Sequence, residues 1–197
     1  MHGRILDVGC GSKPYQELFG ASEYIGLEIE GSVSKDADYF YDGKVFPLND
    51  EDFDSVFSSQ TLEHVFNPDE FLAETNRVLR MGGSLLLAVP FCWDEHSQPY
   101  DYARYSSFGL HYLLERHGFE IVESRKSFDD TRVIFQMVNA YIYKITITQN
   151  GIINLLIALI LMAPCNIVGE IVGRIFPRNK DLYLDNIILA RKKKNER

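Results

Sequence analysis

The sequence predicts an α/β fold, a mostly parallel sheet with helices on both faces. Three observations carry this. Short apolar runs alternate with segments of helical spacing through the first two thirds of the chain. One run, 84–90 (SLLLAVP), is almost continuously apolar, as a strand covered on both faces must be. The first run ends in Gly-Cys-Gly, a turn suited to the passage from a strand into a helix.

Residues 4–8 (RILDV) form the first strand and 24–29 (YIGLEI) the second. Residues 38–41 are a weak third, 53–58 (FDSVFS) a fourth and 84–90 the fifth. Asn67-Pro68-Asp69-Glu70 opens a helix, with proline and acids in its first turn. Phe71, Leu72, Thr75, Val78 and Leu79 follow at helical spacing, and Gly82-Gly83 is expected to stop the helix. Ser106 or Ser107 starts another, through Leu110, Leu113 and Leu114 to Gly118. A sixth strand is expected at 119–124 (FEIVES), a helix at 132–147 and a seventh strand at 182–190 (LYLDNIILA).

Composition narrows the function classes. The chain has 197 residues, 46% of them hydrophobic, which excludes a disordered or fibrous protein and allows one domain with an appendage. The formal net charge of -8 argues against a nucleic-acid binder. That charge is uneven: residues 1–130 carry 10 Lys+Arg against 24 Asp+Glu, and residues 131–197 carry 10 against 4. Cys10, Cys92 and Cys165 fit no metal spacing, no metal site is expected, and reduced thiols suit a cytoplasmic setting.

The chemistry-bearing motif is Asp7-Val8-Gly9-Cys10-Gly11. Glycines at such a turn let a ligand approach the backbone, and a following helix would present unpaired N–H groups. Glu28, at the end of the second strand, can accept both hydroxyls of a ribose, and Asp42 is a third acid on the same carboxyl edge. A dinucleotide fingerprint wants glycine where Pro14 stands. Three acids also disfavour a pyrophosphate. They suit a phosphate-free ligand with a ribose, an ammonium group and a sulfonium, as S-adenosylmethionine is.

The chain resembles the class I S-adenosylmethionine-dependent methyltransferases of the type 11 group. The matching pieces are ILDVGCG (5–11), YIGLEIE (24–30), Asp42-Gly43 ahead of Phe46-Pro47-Leu48, FDSVFSSQTLEHV (53–65) and FLAETNRVLRMGGSLLLAVPF (71–91). The resemblance implies a Rossmann-like seven-stranded sheet, mostly parallel, with the last strand antiparallel. It also implies that Gly9 and Gly11 pack against the methionine part of S-adenosylmethionine, with Asp7 near its ammonium group. Glu28 would hold the ribose, Asp42 with Gly43 the adenine, and Ser59 and Gln60 would line the sulfonium side. Only three residues precede the first strand, where the family carries helices over the cofactor, so either an open site or a natural start upstream of Met1 is expected.

The segment 91–110 is dense in His, Asp, Arg, Tyr and Trp. His96 through Tyr105 resembles a pattern in methyltransferases encoded with glycan-assembly genes, which implies Tyr100, Asp101, Arg104 and Tyr105 as acceptor-binding residues. His96 is the first candidate base for an acceptor hydroxyl and His64 the second, because imidazole titrates near neutrality. Glu63 is expected to cap or orient its loop. A structural polar cluster of His96, Asp101 and Arg104 is the plainer alternative.

The main departure from the family is an insertion, expected at 129–181, between a methyltransferase domain of residues 1–128 and 182–191 and a basic tail at 192–197. Residues 145–169 are 25 consecutive uncharged residues. A helical hairpin dipping into one leaflet over 145–176 is expected, against an extra subdomain or a homodimer interface. The expected function is O-methylation of a glycan or lipid-linked sugar precursor, in the cytoplasm at the inner membrane face. The alternatives are a non-catalytic cofactor-binding protein partnered with the membrane, and an NAD or nucleotide-sugar enzyme, which Pro14 and the acidic edge disfavour.

Overall fold

The computed structural model describes residues 2–194; of the expected basic tail, residues 195–197 lie outside the described residues. The chain divides into two compact units, one of residues 1–90, 96–125 and 186–197, the other of residues 91–95 and 126–185.

The first unit is built on a seven-stranded mixed sheet whose last strand is antiparallel. The strands are β1 (His2–Val8), β2 (Gly20–Ile29), β3 (Tyr39–Tyr41), β4 (Phe53–Ser59), β5 (Leu79–Pro90), β6 (Phe119–Lys126) and β7 (Asp185–Lys192), in the order β3-β2-β1-β4-β5-β7-β6. β1 is central: Leu6 pairs with Ile25 of β2 on one side and Val56 of β4 on the other. That position explains why Ile5, Leu6 and Val8 are fully buried. Successive strands run outward from β1 in both directions, so a crevice opens at the carboxyl ends of β1 and β4, where such sheets take ligands.

Two helices belong to this unit, α1 (Pro68–Val78) and α2 (Ser107–Arg116). α1 starts at Pro68 with Asp69 and Glu70 in its first turn, and it buries Phe71, Leu72, Thr75 and Val78. α2 is capped by Ser106, whose side chain accepts from the Gly109 amide. Leu72, Val78, Leu110 and Leu114 join Leu85, Leu87, Val89 and Ile188 in one core.

Two local expectations are corrected. α1 ends at Val78 and β5 begins at once, so Gly82-Gly83 lie inside the strand and do not terminate the helix. Between β4 and β5 the register passes from Phe53↔Leu79 to Ser55↔Ser84, and Gly82, at φ +76, forms the outward bulge. The second correction concerns the segment after β1. No α-helix follows; residues 9–19 contain one 3-10 turn, Gln16–Leu18, and β2 already begins at Gly20. Gly11 (φ +51) and Lys13 (φ +55) are both left-handed, which breaks the helical path.

The second unit contains α3 (Arg132–Thr146), α4 (Gly151–Ile157) and α5 (Ala163–Ile175), with a π-helical turn at Ala158–Met162 joining the last two into a single helix over Gly151–Ile175. The hairpin expected within 145–176 is therefore one continuous helix beyond residue 150. Pro164 does not break it, because the widened turn just before it accommodates the missing N–H. The polar interruptions are satisfied locally. Asn154 accepts from the Thr148 amide, and Asn166 accepts from Asn139 of α3 at 2.5 Å. A Cβ on Gly169 would stand 2.8 Å from Phe135, so α3 and α5 pack closely there.

Candidate active site

The loop after β1 is held by its own amides. Gly9 and Cys10 donate to Leu27 O, Gly11 donates to Glu28 Oε2 at 3.0 Å, and Lys13 donates to Cys10 O. The helix terminus expected here is absent, and these four amides are engaged within the fold. An anion-binding cradle is missing on both counts. A Cβ on Gly9 would lie 2.1 Å from Thr61 Oγ1, so β1's turn packs directly on the segment after β4. Gly11 faces open space: a Cβ there would meet nothing within 4 Å.

Three acids lie at this end of β1, β2 and β3. Asp7 is 2% exposed because it sits in the central strand between Gly26 and Phe57. Burial pushes its carboxyl up to about 6, against the lowering effect of a 2.6 Å hydrogen bond from Tyr24 Oη, and nearby Glu28 raises it further. Glu28 accepts from Gly11 N at Oε2 and from Ile29 N at Oε1, each at 3.0 Å. A carboxylate has about four acceptor sites, so two remain for hydroxyls. Asp42 is exposed and caps the Lys44 and Val45 amides with Oδ1, which lowers its carboxyl, and Gly43 completes that turn. The nearby cation Lys13 is paired with Asp38 at 2.5 Å.

The segment after β4 turns sharply. Gln60 is left-handed at φ +54 and donates its amide to Ala88 O. Ser59 accepts from Thr61 Oγ1 at 3.2 Å. A 3-10 turn, Leu62–His64, follows at once. His64 Nδ1 lies 2.5 Å from Tyr100 O, and the His64 and His96 rings meet edge to face at 4.8 Å. Asp101 accepts from the His96 amide at 2.8 Å and forms a two-point ion pair with Arg104 at 2.6 and 2.8 Å. That pair holds the Asp101 carboxyl well below the usual range.

The structure thus gathers His64, His96, Asp101 and Arg104 into one cluster, while Tyr100 contributes its backbone and keeps an exposed ring. Tyr105 packs against the hydrophobic core, and burial pushes its hydroxyl up to about 12. Glu63 is not a cap. Its carboxylate is fully buried and, among the described residues, neither oxygen has a hydrogen-bond partner, while its backbone carbonyl orients the loop by accepting from Tyr102 and Ala103. Sequence reasoning missed Tyr24 and Thr61, whose roles arise from strand register and from a contact across 52 residues.

Compared with known proteins, residues 6–87 match a methyltransferase domain, of the type 11 group. Residues 6–87 thus carry a class I S-adenosylmethionine-dependent methyltransferase domain. It is 28% identical over 136 residues to a probable S-adenosylmethionine-dependent methyltransferase of Mycolicibacterium smegmatis, covering 61% of this chain and 53% of the other. It is 27% identical over 114 residues to the mitochondrial ubiquinone biosynthesis O-methyltransferase of Dictyostelium discoideum, covering 43% and 34%. The chain therefore spans about a third to a half of the length of these curated relatives. Among solved structures, the [4+2]-cyclase SpnF superposes with a TM-score of 0.60 at 21% identity, over 96% of this chain and 75% of that one; this likeness concerns the fold alone.

The methyltransferase cofactor is S-adenosylmethionine, and the residues present fit it. Asp7, Glu28 and Asp42 lie at the sheet edge where Gly11 leaves open space, and the Gly9, Cys10, Gly11 and Lys13 amides are engaged within the fold. Asp7 would hold the ammonium group, Glu28 the ribose hydroxyls, and Asp42 Oδ2 the adenine.

Proposed function

We propose that this methyltransferase O-methylates a glycan or a lipid-linked sugar precursor at the cytoplasmic face of a membrane. When bound, the cofactor would supply a methyl group on a sulfonium for transfer to an acceptor hydroxyl, the C–S electron pair staying on sulfur and the hydroxyl proton passing to water. Asp7, Glu28 and the glycine turn fix that group at the crevice, so positioning supplies much of the rate. The observation that carries the reading is the continuity of residues 59–64: Thr61 packs on Gly9, and His64 follows three residues later beside His96. Donor and acceptor groups thus share one sheet edge. The Asp101–Arg104 pair and the exposed Tyr100 ring suit a polyhydroxylated acceptor.

The second unit supports a lipid-linked acceptor. Its helix over Gly151–Ile175 contains an 18-residue stretch of mean hydropathy 2.3, none of it buried. At ~1.5 Å per residue the helix is long enough for a bilayer core of ~30 Å. A groove in the same unit, lined by Cys92, Val133, Met137, Tyr141 and Leu182 among others, has the apolar lining an acyl or isoprenoid chain requires. Titration with S-adenosylhomocysteine, transfer of labelled methyl to lipid-linked oligosaccharide, and flotation with anionic liposomes test the three parts in turn. Binding without turnover on any hydroxylated acceptor would favour a non-catalytic role. A protein that never floats refutes the membrane part.

A further inference from the structure

We propose that Glu63, His64 and His96 form a site for one divalent transition-metal ion, of the zinc, cobalt or manganese kind. Their donor atoms all lie within 4.8 Å of one another. Small side-chain rotations bring such a set to the ~2.0–2.2 Å bonds of imidazole and carboxylate ligands.

Glu63 carries the strongest sign. Its side chain has no exposed area, and both carboxylate oxygens lack a hydrogen-bond partner among the described residues. A buried carboxylate without partners is costly, and buried charges are paired or coordinate metals. The 3-10 turn Leu62–His64 holds this carboxylate 3.9 Å from His64 Nε2.

Each imidazole has a hydrogen-bonding partner behind it. His64 Nδ1 donates to Tyr100 O at 2.5 Å, which leaves Nε2 as the basic nitrogen on the Glu63 side. Behind His96, Asp101 Oδ2 lies 3.4 Å from Nδ1, the place an outer carboxylate takes behind a metal-bound histidine. Asp101 is fixed there by Arg104 and by the His96 amide. Arg104 Nη2, which can only donate, also stands 3.3 Å from His96 Nδ1, so ligation through Nε2 requires the Nδ1 proton to face Asp101 instead. Two imidazoles and one carboxylate favour transition metals over calcium or magnesium and leave coordination positions for oxygen donors.

The ion site stands on these contacts alone. Its use rests on the methyl-transfer reading: the open positions would take hydroxyl oxygens of the acceptor beside the crevice. In that role His96 is a ligand and not the base.

The test uses the whole chain, stripped with a chelator and titrated with Co2+ by calorimetry and visible absorption. One ion per chain is expected, with ligand-field bands. Glu63→Gln and His96→Ala should each weaken it more than tenfold, and Asp101→Asn by about tenfold, with circular dichroism showing a retained fold. No stoichiometric binding by the wild-type chain overturns the proposal. So does binding that survives Glu63→Gln and His96→Ala unchanged. Should Co2+ bind while S-adenosylhomocysteine does not, the cofactor reading falls and the ion site stands; the reverse result removes the ion site alone.

Discussion

Replacing Asp7 by asparagine should stabilise the cofactor-free protein while weakening cofactor binding. The Asp7 carboxyl is raised from 3.8 to about 6, chiefly by burial. A carboxyl whose folded pKa lies above its unfolded value penalises folding once it ionises. The penalty is complete above the folded pKa and disappears as pH falls below the unfolded one. At ~1.4 kcal/mol per unit the shift amounts to about 3 kcal/mol at pH 8, roughly half that at pH 5 and about 0.5 kcal/mol at pH 4. Asparagine keeps an acceptor for Tyr24 and removes the charge. At about 2–4 °C per kcal/mol for a chain of this size, Asp7→Asn should melt roughly 6–12 °C above wild type at pH 8, with a gap that narrows towards pH 4. Thermal melts across that range, with and without S-adenosylhomocysteine, measure this. Added ligand should raise the wild-type melting temperature more than that of the variant, because only the wild type gains an ammonium partner. A variant less stable than wild type at pH 8, or a gap that ignores pH, would refute the reasoning.

Four further outcomes follow from the same geometry. Gly11→Ala should fold with a loss of about 1 kcal/mol for its left-handed backbone, yet lower S-adenosylhomocysteine affinity about tenfold by filling the open space. Gly9→Ala, whose Cβ would meet Thr61 Oγ1 at 2.1 Å, should cost more than 2 kcal/mol in chemical denaturation. Glu28→Gln should weaken S-adenosylhomocysteine by about tenfold or more, since a charged acceptor of two hydroxyls is worth ~1.5–3 kcal/mol per bond, and calorimetry reads it directly. Arg77→Ala should lower stability by about 2–3 kcal/mol, because its guanidinium bonds Phe46 O, Leu48 O, Asp50 and Glu74 and so pins the loop after Asp42.

Much of the fold was legible because its signals are local. Short apolar runs marked β1 and β4, a nearly continuous one marked β5, and Pro68 with its acids marked α1. The misplaced boundaries share a cause. Gly82-Gly83 read as a helix stop, but the same freedom of backbone serves a bulge inside β5, and sequence cannot separate the two uses. The Gly-Cys-Gly turn after β1 reads as the passage into a helix, but β2 starts four residues earlier than its apolar run and leaves no room for one.

By itself the sequence determined which residues reach the carboxyl edge. A strand that ends in Gly-x-Gly must deliver Asp7 and the turn there, and a second strand ending in Glu28 must deliver that acid beside it, since parallel strands share one direction. The tertiary structure alone decided how strongly each group is perturbed and which distant groups meet. Asp7 is buried because β1 lies between β2 and β4, a fact of strand order. Glu63 and His64 meet His96 across more than 30 residues because Tyr102 and Ala103 donate to Glu63 O and Tyr100 O accepts from His64. Burial and unpaired polar atoms depend on what surrounds a side chain, and no local pattern of residues records its surroundings.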